Sequence, residues 1–118
     1  MINQTSVKIM PTLEECKKKV GRLVQAKKFY NERRHIPMKI LFAFIELGEA
    51  GNAWKKGMPE ESVSEELIDV IFYVLDAWRL ACPNLNPDEV FDSKWRKNMS
   101  RPMMYGEGYR SLDDENKK

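Results

Sequence analysis

A chain of 118 residues with 42% hydrophobic content can fill one core but hardly two, so a single soluble domain is expected. The net charge of +2 hides a basic stretch over residues 8–39 and an acidic one over 46–76, a layout that suits an anionic ligand and a cation. No apolar run approaches the length of a bilayer crossing and no charged segment leads into an apolar stretch at the start, so no membrane attachment and a cytoplasmic location are expected.

Cys16 and Cys82 lie far apart without CxxC spacing or histidine partners, which argues for two reduced, packed thiols over a disulfide scaffold or zinc site. Thr12 with Glu15 three positions later predicts a capping box and a first helix beginning there. Its apolar positions Cys16, Val20, Leu23 and Val24 recur at helical spacing, and lysines and arginines occupy much of the remainder. Around Ile36 and Pro37 the pattern breaks, and proline suits the first turn of a second helix over about 38–54. A linker over 55–61 holds Gly57 and Pro59. Ser62 with Glu65 then repeats the capping pattern, predicting a third helix over about 63–81 with Glu65 as a structural carboxylate. Asn86, Pro87 and Glu89 supply a cap, a first-turn proline and an acidic third position for a fourth helix reaching about residue 98. The expected fold is all-α, an antiparallel four-helix bundle over 1–101, followed by an extended or partly disordered arm over 102–118.

Helix two is apolar almost all round, as a buried helix reads, yet it carries Glu46 and Glu49 one turn apart. Helix three carries Glu66, Asp69, Tyr73 and Asp76 as one polar stripe among leucines, isoleucines and valines. An unpaired buried carboxylate is costly, so such groups must face water, find a cation, take a proton or bind metal. A single ExxE is common on solvated helix faces; two acidic pairs on neighbouring apolar helices are explained by metal. Glu46, Glu49, Glu66 and Asp69 would form an all-oxygen set suited to Mg2+ or Mn2+. A di-iron site of the ferritin kind would require Glu-x-x-His pairs, and the sole histidine, His35, falls near the turn between helices one and two.

Glu46-Leu47-Gly48-Glu49, followed by Glu65-Glu66-Leu67-Ile68-Asp69-Val70 and then by Lys94, Asn98 and Arg101, resembles the signature of the MazG-like all-alpha nucleotide pyrophosphohydrolases. The resemblance covers residues 38–101. It departs from the family at Ile45, where the first glutamate of EExxE would stand. It implies magnesium-dependent cleavage of a (d)NTP between the alpha and beta phosphates, giving a (d)NMP and pyrophosphate, as in nucleotide-pool house-cleaning. Carboxylate-held Mg2+ fits that chemistry by offsetting phosphate charge and activating a water. Glu46 or Glu49 could be the catalytic base, and sequence does not separate ligand from base.

Lys94, Asn98 and Arg101 are expected to hold the triphosphate, with Tyr73 contacting substrate through its hydroxyl. Read without the family pattern, Lys94 and Arg101 are ordinary solvated charges, and Trp54, Trp78 and Trp95 are read as packing residues. The resemblance also implies a homodimer or homotetramer, consistent with the apolar surface that four helices would leave uncovered. The alternative is a non-catalytic helical module that senses nucleotide or binds nucleic acid or a partner through its basic helix one. Nucleic acid gives no reason for acidic pairs inside apolar helices.

Overall fold

The computed structural model describes residues 10–102, so all but the first residue of the expected arm over 102–118 lies outside the described residues. Among the described residues four α-helices form: α1 (Leu13–Ala26), α2 (Ile36–Lys55), α3 (Glu60–Ala81) and α4 (Pro87–Ser100), with a 3-10 turn (Arg33–His35) leading into α2. The all-α expectation is met, and no strand occurs among the described residues. Two compact units divide after Leu85: α1 to α3 belong to the first, and α4 to the second.

Local chemistry explains most of the boundaries. The Thr12 hydroxyl accepts from the Glu15 amide at 3.1 Å while the Glu15 carboxylate accepts from the Thr12 amide at 2.8 Å, closing the capping box that starts α1. Lys28, at φ 56°, ends that helix in the left-handed region, and the Phe29 amide returns to the Val24 carbonyl at 3.0 Å. Gly57, at φ 72°, does the same for α2, where the glycine carries no steric penalty. Pro37 occupies the first turn of α2. The Asn86 side chain caps α4 by accepting from the amides of Asp88 and Glu89.

The start of α3 differs from the sequence reading. It begins at Glu60, so Ser62 and Glu65 lie inside the helix and form no capping box there. Pro59 at the cap has φ −57° and ψ 152°, and its carbonyl accepts from the Ser62 and Val63 amides. Glu60 and Glu61 then put negative charge beside the free amides of the first turn, which extends the helix by nearly a turn.

Within the first unit α3 is central, packing along α2 and against α1. Lys39 pairs with Asp76, Phe42 packs on Tyr73 with ring centroids 5.4 Å apart, and Glu46 meets Glu66 and Asp69. As numbers rise on α2 they fall on α3, so the two helices run antiparallel. A small buried core of Val20, Val24 and Leu75 joins α1 to α3, with Cys16 packed against it. Both cysteines are free thiols and half-buried. The expectation of a buried helix two is not met within one chain, where only Lys39 and Ala50 of α2 are buried and Leu41, Phe44 and Leu47 are more than half exposed. Lys17 departs from the basic outer face of helix one; it is buried and pairs with Glu14 at 2.9 Å.

Candidate functional site

Glu46 projects from the middle of α2, and Glu66 and Asp69 lie one turn apart on α3. One carboxylate oxygen from each lies within 4.8 Å of the other two, close enough for three oxygens to share a cation. Glu46 and Glu66 are half-buried and Asp69 is exposed, so the group lies at the rim of the helix pair. Glu49, one turn beyond Glu46, is exposed and is not part of this close trio.

The electrostatics of the trio are those of uncompensated like charges. Burial first, and then the charges of Glu49, Asp69 and Glu66, push the Glu46 carboxyl above its ordinary range, and a hydrogen bond with Glu66 adds to the effect. Among the described residues no lysine or arginine forms an ion pair with Glu46, Glu66 or Asp69. Asp76, two turns along α3 from Asp69, has the opposite surroundings. Its Oδ2 accepts from Lys39 Nζ at 2.5 Å, and its Oδ1 accepts from Arg79 Nε at 2.8 Å. Lys39 and Asp76 are 3% and 4% exposed, so this is a buried pair with its charges satisfied.

A cavity of about 210 Å³ adjoins the trio, lined by Glu46, Asp69, Tyr73 and Asp76 on its polar side and by Val24, Phe29 and Phe72 among its apolar residues. A second of about 430 Å³ shares Phe29, Tyr73 and Asp76 with it and adds Lys28, Tyr30, Lys39 and Phe42. Tyr73 therefore lies between the two. Its phenol is pushed up, first by burial and then by Glu46, Asp69, Asp76 and Glu49, so it stays neutral and keeps a hydroxyl hydrogen to donate.

Lys94 and Asn98, four apart on α4, share a face, and Arg101 caps that helix; all three are exposed and belong to the second unit. Trp54 and Trp95 are exposed at 77% and 54%, so neither fills a core within the chain. Trp78 is half-buried and donates through Nε1 to the Leu85 carbonyl at 3.3 Å. His35 accepts from the Glu32 amide through Nδ1 at 3.1 Å, a structural role.

The sequence pattern makes Asp76 only part of a stripe and does not single out Lys39, Arg79 or Phe29. The signal for Lys39 was present: it is the one basic residue between Met38 and Trp54, seven positions before Glu46 and hence on its side of the helix. No family model, curated protein or solved structure matches the chain.

Proposed function

We propose that this chain is a magnesium-dependent nucleoside triphosphate pyrophosphohydrolase of the MazG-like kind, converting a (d)NTP to a (d)NMP and pyrophosphate. The observation that carries the reading is the trio of Glu46, Glu66 and Asp69, brought from two helices within 4.8 Å of one another beside a cavity and without a cationic partner among the described residues. The donors are hard oxygens, and the crowding of negative groups that, after burial, pushes the Glu46 carboxyl up is what a divalent cation would relieve, so the residues fit Mg2+ or Mn2+. Glu46, Glu66 and Asp69 would hold the ion, with Glu49 as the fourth carboxylate. Such an ion supplies charge neutralisation at phosphate oxygens and a lowered pKa for a coordinated water.

The rest of the chemistry falls to the chain. A water oxygen forms a bond to the alpha phosphorus while the bond from that phosphorus to the oxygen bridging to the beta phosphate breaks, and pyrophosphate leaves with the electron pair. Glu46 or Glu49 takes the water's proton on a carboxylate oxygen. Tyr73, held neutral, donates its hydroxyl hydrogen to a substrate oxygen at the junction of the two cavities. Lys94, Asn98 and Arg101, all in the second unit, are the cationic and amide donors that the resemblance assigns to a triphosphate tail.

A homodimer, or a homotetramer built from it, accompanies this reading, because Leu41, Phe44 and Leu47 on α2 and Leu67 and Ile71 on α3 are about half exposed or more. No helix among the described residues is long and apolar enough to cross a membrane, and the cytoplasm, where the nucleotide pool lies, is the proposed location. The test is a panel of canonical and altered nucleoside triphosphates incubated with Mg2+, with products separated. Equimolar monophosphate and pyrophosphate are expected. Orthophosphate alone, or no turnover across the panel, contradicts the proposed reaction.

A further inference from the structure

The connection between α1 and α2, residues 27–35, supplies the outer wall of both cavities. Phe29 lines each of them, and Lys28 and Tyr30 line the larger. Yet Phe29 and Tyr30 are 55% and 60% exposed, so burial in a core does not fix where they stand. Their position depends on tethers at either side. Phe29 is tied back by the bond of its amide to the Val24 carbonyl, made possible by the left-handed turn at Lys28. Beyond Tyr30 the tethers reach across to the end of α3.

Arg79 makes the first of these. Its Nε and one terminal nitrogen bond Asp76 Oδ1 at 2.8 and 2.7 Å, and that same terminal nitrogen donates to Asn31 Oδ1 at 2.6 Å. The stem of its side chain lies along α1, where a Cβ added at Gly21 would come within 3.5 Å of Arg79 Cδ. One guanidinium thus touches α1, α3 and the connection. Arg33 makes a second tether by donating to the Leu80 carbonyl at 2.6 Å, a helix-end acceptor otherwise short of partners. Lys39 completes the arrangement from α2, holding the other oxygen of Asp76 and so fixing the carboxylate on which Arg79 rests.

We propose that Arg79 is a positioning residue, which through its bond to Asn31 clamps the α1–α2 connection in place as the wall of the nucleotide cavity. The proposal rests on the pyrophosphohydrolase reading for what the cavity holds, but the clamp itself is mechanical and is measurable without substrate. Arg79 touches no reacting atom; it acts through Phe29 and Tyr30. Its loss would loosen substrate binding and leave the carboxylate trio, on a different part of α2 and α3, in place. The fork of the guanidinium is needed because a lysine ammonium at position 79 lacks the rigid, planar donor set that addresses Asp76 and Asn31 together.

The experiment uses the full chain with Asn31→Leu, which removes the acceptor at similar size, Asn31→Asp, which keeps an acceptor oxygen, and Arg79→Lys. None of these alters the tryptic sites at Lys27 and Lys28. Without nucleotide, Asn31→Leu and Arg79→Lys should be cut after Lys27 or Lys28 about tenfold faster than wild type, because the local opening they permit is what the protease captures. Asn31→Asp should keep the slow cleavage. Combining Asn31→Leu with Arg79→Lys should add nothing to the single Arg79→Lys effect, since both break one contact. With saturating Mg2+, KM for the preferred triphosphate should rise about threefold in Asn31→Leu while kcat holds within about twofold.

Wild-type cleavage rates in Asn31→Leu overturn the clamp. Faster cleavage with an unchanged KM in an enzyme that turns over removes the connection from the substrate site. If wild type itself releases no pyrophosphate, the proposed reaction has failed by its own test, and the proteolysis alone decides whether Arg79 holds the connection.

Discussion

Glu46 and Asp76 show how the same helix pair treats a carboxylate in two ways. Asp76 is buried between Lys39 and Arg79, and removing it strands a buried ammonium. Asp76→Ala should therefore cost about 3–5 kcal/mol, seen as a lowered denaturant midpoint. Glu46 is crowded by other negative groups. Its raised pKa means that the folded, ion-free chain binds a proton there more tightly than the unfolded chain does. Its contribution to stability is then fully present below the unfolded pKa and is lost as pH rises through the folded value. Glu46→Gln should accordingly raise the melting temperature of the ion-free protein at neutral pH, while Mg2+ should raise that of wild type and not of the variant. A lower melting temperature for Glu46→Gln would show that the carboxylate is satisfied by the fold alone. At this scale the acidic residues were legible in the sequence because their three-residue spacing is local. The Lys39–Asp76–Arg79 group was not, because its partners lie 37 positions apart and only the packing of α2 on α3 joins them.

Among the elements, those with side-chain caps were legible and those set by backbone geometry were less so. Thr12 and Asn86 announce α1 and α4, since their oxygens have few other means of satisfying the free amides. Ser62 and Glu65 offered the same pattern at α3, but Pro59 began the helix earlier and the pattern fell within its first turns. Position rather than composition decides whether such a pair caps. Thr12→Ala should cost about 1 kcal/mol and fray α1 without touching the carboxylate trio. Amide exchange would report this as faster exchange confined to the first turn of α1, and exchange accelerated equally along α3 would mean that the box holds more than its own helix. The alignment of Glu46 with Glu66 and Asp69 also belongs to this scale. The acidic spacing on each helix was readable, whereas the register between helices that brings three of the four expected ligands together, with Glu49 left outside the close trio, is a product of packing.

At the scale of the whole molecule, the apolar side chains of α1 to α3 outnumber those that the described residues bury. Val20, Val24 and Leu75 form a small core, and Phe44 at 66% and Trp54 at 77% exposure leave α2 facing outward. The sequence showed α2 to be apolar all round but not what would bury it, because covering such a helix can require a second chain. Sedimentation should find a dimer or tetramer in wild type and a smaller species in Phe44→Glu; a monomeric wild type would show that the exposed face has another purpose. If two antiparallel helices together form one divalent-cation site, titration with Mn2+ followed by its electron paramagnetic resonance signal will find it. Saturable binding is expected in wild type, with its loss in Asp69→Asn at unchanged helical content, whereas equal Mn2+ uptake by both proteins would mean that Glu46, Glu66 and Asp69 share no ion.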